Sequence, residues 1–579
     1  MRKVWIAWVV LSLLLIASGW QAIAAGRLAD PDDIMRLVQV RDLLGGQGWF
    51  DTTQYRLAPL PDGSGGVPMH WSRLVDLPLM IVIGSLTPIV GAPLAEMIAL
   101  IAIPLLTLLV VLIFVGRLSA RLFDIETAGW TCLVVGFLPL LTHQLQPLRI
   151  DHHGWQIASV AAALWAIHLE RRWRGGAIAG FAMAIGLSIS IEILPVAALF
   201  AGVLGLRWLR NPANRIGLVG FMQSLALSLS LLFALTRGFG DLTQYCDAIT
   251  LAHCGLFGVI AIGVTALAAP SRLSPMVIVG GLAASGLAGL ALFGWASPTC
   301  LGTPFGSLDP LVHDAWYLNV PEGRPLWEQK ADLYPVMVQF ILALGVAVTL
   351  AVRAVEDRRW LWIDYSILLG GTILLGLFVF RSLALAAVIA TIPFGYLLTQ
   401  ALRWLREATS PVAKVAIALA TVPVLLPLAT YAAAERLLAN ENSGGGVAVS
   451  LSSCELQDNA KRLRAFPAGT VFAPLDIGPS LLAATPHSVV ATGHHRAQAA
   501  MKDVIEAFSA PADEARGLVA KYDAKLVVVC TDLSEPRLYA RMGGESSLAA
   551  RLMADDAPEW LERVDIDAPD TFRVWRVRD

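Results

Sequence analysis

Residues 149–156 read RIDHHGWQ, and long apolar runs stand on both sides of them. An aspartate and two adjacent histidines at the mouth of a hydrophobic segment call for a reason, because ionisable groups at a membrane are costly and mark candidate functional sites. The flanking runs decide the class. The 579 residues are 56% hydrophobic and 15% charged, where soluble chains carry about 25% charged residues, and mean hydropathy is +0.64. Apolar runs of roughly 17–25 residues are long enough to span a bilayer. They recur near 4–25, 94–116, 125–142, 156–170, 176–192, 193–206, 216–236, 255–269, 273–294, 334–352, 360–380, 382–400 and 411–434. The expected fold is therefore a polytopic α-helical membrane protein of about 13 transmembrane helices. A net charge of −2 and the lack of long basic runs argue against a nucleic-acid partner.

The first run, Val4 to Ala25, follows a basic start and ends in small residues like a secretory signal, but it is long enough to span and is read as a retained helix. Arginines in short loops give the orientation. Arg117, Arg121, Arg171, Arg172, Arg174, Arg207, Arg210, Arg215, Arg272, Arg353, Arg358, Arg359, Arg403 and Arg406 all collect on one side, which is then cytoplasmic. The other side receives the segments 26–75, 237–254 and 295–333 and the C-terminal portion. The domain reading is a transmembrane part over 1–437 and a small extracytoplasmic α/β domain over 438–579, joined by the linker NENSGGGVAV. GTVFAPLDI, SVVATG and AKLVVVCTDL read as buried strands; QAAMKDVIEAFSA, ADEARGLVAKYD and ESSLAARLMADDA read as amphipathic helices. None of the six cysteines forms a CxxC pair. Cys132 falls inside a span; Cys454 and Cys530 share the C-terminal domain on the oxidising side, where a disulfide between them is expected.

Five stretches carry candidate chemistry. In LADPDDIMR, Asp30, Asp32 and Asp33 crowd three carboxylates into four positions; a divalent cation would neutralise them, and an acidic helix N-terminus fits equally. At the histidine corner, Asp151, His152 and His153 offer carboxylate and imidazole ligands within one turn, a set suited to Mn²⁺, Mg²⁺ or Zn²⁺; an interfacial polar cluster is the alternative. Arg381 is a single charge in LGLFVFRSLALAAVIA, so an anionic partner is expected, and a phosphate suits a guanidinium. The segment 295–333, rich in Gly and Pro, suits a loop that closes over substrate, with His313, Glu322 and Glu328 as its titratable groups. His70, Trp71 and Arg73 fit a lipid headgroup grip or an aromatic interface belt.

The succession of spans, an acidic motif after the first, an Asp-His-His corner before the fourth, a long late loop and an external α/β domain resembles the catalytic subunits of oligosaccharyltransferases, membrane glycosyltransferases of the GT-C superfamily. DPDDIMR resembles the family's first motif, with Asp30, Pro31 and Arg36 retained and aspartates in place of its aromatics. DHHGWQ resembles the Asp-His-His element of archaeal members, with Gln156 where the family has a glutamate. The resemblance implies a divalent metal, Mg²⁺ or Mn²⁺, on Asp30, Asp151 and His153. It implies a loop glutamate at Glu322, and a donor-phosphate arginine at Arg381, with Arg36, His70 and Arg73 accessory to the donor. APLDIGPS stands where the family reads an acceptor sequon; Asp476 and Gly478 remain and both tryptophans are absent, so no Asn sequon is expected to be read. His487, His494, His495 and Arg496 either face the active site or lie on the domain surface. The expectation is metal-dependent transfer of a sugar or glycan from a polyprenyl-phosphate-type donor to a glycan, lipid or protein acceptor, with Asp32 or Asp33 as base. The expected place is a bacterial inner membrane with the C-terminal domain in the periplasm. A polyprenyl-linked glycan transporter, a transferase of phospho-alcohol or acyl groups, and a non-catalytic partner subunit are the alternatives.

Overall fold

The computed structural model describes residues 1–425, apart from 29, 271, 303, 304 and 307, and residues 453–578. The linker NENSGGGVAV and the end of the apolar run 411–434 lie outside the described residues. Two compact units divide them: residues 1–25, 72–302 and 321–425 form a helical unit, and residues 26–71, 305–320 and 453–578 form an α/β unit. The α/β unit thus takes in two segments that the sequence places in loops of the transmembrane part.

Among the described residues, nine helices are long and apolar enough to cross a membrane: Arg73–Val90, Ala92–Leu122, Ile191–Arg210, Pro212–Thr236, Leu251–Ala268, Pro275–Ala296, Pro335–Arg353, Arg358–Phe378 and Phe380–Glu407. A tenth candidate is the pair Ile125–Phe137 and Pro139–Leu145, bent by 78°, where Pro139 cannot continue the helix. The chain is a multi-pass membrane protein, and its described residues hold fewer such helices than the 13 expected. The runs at 4–25 and 156–170 appear as shorter helices, Arg2–Ser18 and His153–Ala166. Arg73–Val90 is a candidate span additional to those expected, its apolar signal interrupted by Arg73, Asp76, Pro78 and Pro88.

Small residues set the packing that positions the middle of this unit. Helix Arg172–Ile189 lies against Arg215–Thr236 so closely that a Cβ on Gly176 would come within 1.9 Å of the Gly217 carbonyl oxygen, and one on Gly180 within 2.2 Å of that of Phe221. This is the small-xxx-small contact that lets membrane helices approach backbone to backbone. Leu383–Glu407 is buried without interruption from Leu383 to Gly395, as an all-round apolar helix inside a bundle must be.

The α/β unit holds a seven-stranded sheet of β1 (Thr53–Pro59), β2 (Gly65–Pro68), β3 (Thr470–Phe472), β4 (Ser488–Val489), β5 (Ala524–Cys530), β6 (Leu561–Val564) and β7 (Phe572–Val577). Their spatial order is β2-β1-β4-β3-β5-β7-β6. The centre β1-β4-β3-β5 is parallel, with Leu57 opposite Val489 and Val471 opposite Val489 and Leu526. Both edges are antiparallel. The three expected strands are β3, β4 and β5, and the three expected helices are Gln498–Ser509, Ala512–Lys521 and Leu548–Met553. Helix Ser534–Gly543 and strands β1, β2, β6 and β7 are additional. Cys454 and Cys530 form the expected disulfide, and Cys246 with Cys300 forms a second, in the helical unit.

Candidate functional site

In the helical unit the site is built on a corner and two helix breaks. Leu148, with φ +72°, turns the chain into the corner that carries Asp151. The Asp151 carboxylate accepts from Arg149 at 2.8 Å, from the His153 backbone N–H at 3.1 Å, and lies 2.8 Å from His153 Nδ1. Arg149 also donates to Gln144 Oε1 at 3.1 Å. A carboxylate on one ring nitrogen fixes the tautomer and turns the other nitrogen outward as a ligand. His153 Nε2 is that nitrogen, and it is buried with no hydrogen-bond partner. The His152 and His153 rings stack with centroids 4.1 Å apart.

Facing them is Glu192, in the single turn Ile191–Ile193 that breaks Arg172–Ile189 from Leu194–Arg210. One ligand atom each from His152, His153 and Glu192 lie within 4.8 Å of one another. Two imidazoles and a carboxylate form a reasonable donor set for a divalent transition ion, so the residues present fit a metal. Arg381 occupies the break Phe380–Ser382, and its guanidinium donates to Glu192. Glu192 is thus an anionic partner of the kind expected for Arg381; a carboxylate alone in SISIEILPV was the available signal. The backbone N–H of Phe380 donates to Arg324 O at 3.0 Å, which ties the Arg381 turn to the loop bearing Glu322, a half-buried residue. Arg324 pairs with Glu328. Arg73 is fully buried in an ion pair with Asp76 at 3.2 Å, an internal use of the charge that the headgroup reading did not foresee.

In the α/β unit the candidate residues gather at the carboxyl ends of the parallel strands, where open α/β sheets place their ligands. Asp476 follows β3, His494 and His495 follow β4, and Glu535 lies on the helix after β5. The acidic motif joins them. Asp30 caps helix Pro31–Leu44, its Oδ1 accepting from the Asp32 N–H at 2.8 Å, so the acidic helix N-terminus is real. Asp32 Oδ1 is 3.5 Å from His494 Nε2, and Asp33 is buried in the first turn. The Arg36 guanidinium lies 4.8 Å from the centre of the Trp71 ring. The His494 ring meets Trp71 edge-on at 4.9 Å, and His70 is 4.9 Å from His495. Arg496 donates to the Pro68 and Met69 carbonyls. His487 does not belong to this group: its Nε2 is 2.9 Å from Leu463 O, and it is buried.

Electrostatics separates these groups. Burial, then His495 and Arg36, push His494 down to about 3, so it is neutral at pH 7. Burial and the Asp476 carboxylate push Glu535 up to about 8, although Leu475 N–H, Asp476 N–H and Tyr539 OH all donate to it. The protein around Asp476, and Asp30 second, push its carboxyl upward, but Asp476 is exposed and water weakens that push. Sequence reasoning missed Glu535, which lies in a surface-like helix SEPRLYARMG; only its fold position reveals a buried acid.

Solved structures of oligosaccharyltransferase from Archaeoglobus fulgidus match over nearly the whole chain. The archaeal oligosaccharyltransferase AglB from Archaeoglobus fulgidus, in complex with an inhibitory peptide and a dolichol-phosphate, matches with TM-score 0.67 and 13% identity over 100% of this chain and 74% of that one. The chain has the fold of AglB. The apo form of that enzyme matches with TM-score 0.64 and 13% identity over 98% of this chain and 75% of that one. Its complex with Zn and sulfate matches with TM-score 0.60 and 13% identity over 99% and 73%. No protein-family model and no curated protein matches the chain.

Proposed function

We propose that the chain is a metal-dependent GT-C glycosyltransferase that moves a sugar or glycan from a polyprenyl-phosphate-type lipid donor to an acceptor other than an Asn sequon. The observation that supports this most is the likeness in fold, along the whole chain, to an enzyme solved with dolichol-phosphate. The buried, oriented His153 next to a guanidinium adds chemical sense to that likeness. The arginine pattern supports placing the α/β unit in the periplasm of a bacterial inner membrane.

In this reading Asp30, Asp151 and His153 hold the cation, and Asp151 also orients the His153 ring. A bound divalent cation supplies charge neutralisation at the departing phosphate. Arg381 binds phosphate oxygens through its planar fork, with Arg36 and His70 accessory. The Glu322 loop moves with the Arg381 turn and excludes water. Asp32, beside the neutral His494, takes the proton of an acceptor hydroxyl, with Asp33 as the alternative base. Asp476, His495 and Arg496 contact the acceptor. The absence of both tryptophans from APLDIGPS supports a hydroxyl-bearing acceptor over an Asn sequon.

The test is metal-dependent release of polyprenyl phosphate from a labelled sugar-lipid by the purified protein. Asp30→Ala and Asp151→Ala are each expected to abolish transfer with membrane insertion intact. Full activity in either variant refutes the scheme, and the absence of any release by the unaltered protein favours the transporter or partner-subunit alternatives.

A further inference from the structure

Glu192 sits where two requirements meet. Its carboxylate takes the Arg381 guanidinium, and it also lies within ligand range of His152 and His153. Both Glu192 and Arg381 stand in short turns between successive helices. The helix leading to Glu192 packs closely against its neighbour at Gly176 and Gly180. Asp151, by contrast, already accepts from Arg149 and from the backbone of His153 and braces the ring at Nδ1. Asp151 thus orients the ring, and Glu192 brings a further carboxylate within ligand range of it. Gln156, where the sequence resemblance has a glutamate, supplies none.

We infer that Glu192 is a direct ligand of a divalent transition ion together with His153 and His152, and that Arg381 competes with that ion for the Glu192 carboxylate. The inference rests on the proposed transferase reading and adds to it. Two imidazoles with one carboxylate favour Mn²⁺ or Zn²⁺ over Mg²⁺, which prefers oxygen ligands and retained water. The competition has a physical consequence. A guanidinium close to a dication would be repelled by it, so an ion held at Glu192 would weaken the Arg381 contact.

The experiment is a Mn²⁺ titration of the purified full-length protein in detergent, without lipid donor, reading free Mn²⁺ by electron paramagnetic resonance. The unaltered protein is expected to bind Mn²⁺ and to keep it against excess Mg²⁺. Glu192→Gln is expected to weaken Mn²⁺ binding by about tenfold or more, the scale on which even outer partners of a metal site act, with Glu192→Asp partly restoring it. Arg381→Gln, which removes the competing cation, is expected to tighten binding by about threefold or more. Glu192→Gln binding Mn²⁺ like the unaltered protein overturns the inference, as does an unaltered protein that binds none. If Glu192→Gln does not stay monodisperse, Arg381→Gln decides alone, and unchanged Mn²⁺ affinity there overturns it. Sugar release is scored separately. A protein that transfers sugar while Glu192→Gln binds Mn²⁺ normally keeps the transferase reading and loses this one. A protein that binds Mn²⁺ through Glu192 and releases no sugar does the reverse.

Discussion

Glu535→Gln isolates the buried acid of the α/β unit. Glu535 has an ordinary value of 4.5 and is pushed up to about 8 by burial and by Asp476. Below pH 4.5 folded and unfolded chains both hold the proton. Between 4.5 and about 8 the unfolded chain releases it while the folded chain keeps it, so the folded state binds more protons and its stability falls as pH rises. At about 1.4 kcal/mol per pH unit the loss across that window is about 5 kcal/mol. Glutamine holds the neutral form at every pH. It replaces one of the oxygens that accept from Leu475 and Asp476, a constant cost of about 1 kcal/mol. Hydrogen exchange of the β5 amides Val527–Val529, corrected for intrinsic rate, reads the local stability. The unaltered protein should lose protection from pH 5 to 8, and Glu535→Gln should lose far less. Parallel profiles for the two proteins refute a neutral buried Glu535.

His494 acts in the opposite direction: its value falls from 6.5 to about 3, so the unfolded chain takes the proton first as pH drops, and stability declines below pH 6.5. His494→Asn should flatten that acid-side loss in the same exchange measurement. The Cys454–Cys530 bond closes a loop of 76 residues, worth about 4 kcal/mol by chain entropy; Cys454→Ser should make the α/β unit markedly more sensitive to limited proteolysis. Gly176→Ala drives a methyl into the Gly217 carbonyl and should destabilise the helical unit by about 3 kcal/mol, seen as a lowered Tm in detergent. Gly202→Ala, where an added Cβ meets nothing within 4 Å, is the control and should leave the Tm unchanged or raised.

The sequence by itself determined what is written locally. Apolar length declared most of the spans, the change in composition after the last of them declared an α/β region, and DPDD offered a helix N-terminus as one of two readings, because spanning and capping depend on residues within a few turns of each other. Strands β6 and β7 escaped because Glu562, Arg563, Arg573 and Arg576 hide their apolar faces, and Arg73–Val90 escaped because its charges and prolines dilute its hydropathy. Tertiary structure alone decided the pairings across long stretches of chain. β1 joins β4 through Leu57 and Val489, Glu192 meets Arg381, and Glu535 grips the backbone at Asp476. No local pattern records such contacts. Each arises when burial of apolar surface brings distant segments together, and a charge carried into that interior must find an opposite charge, a hydrogen bond or a proton.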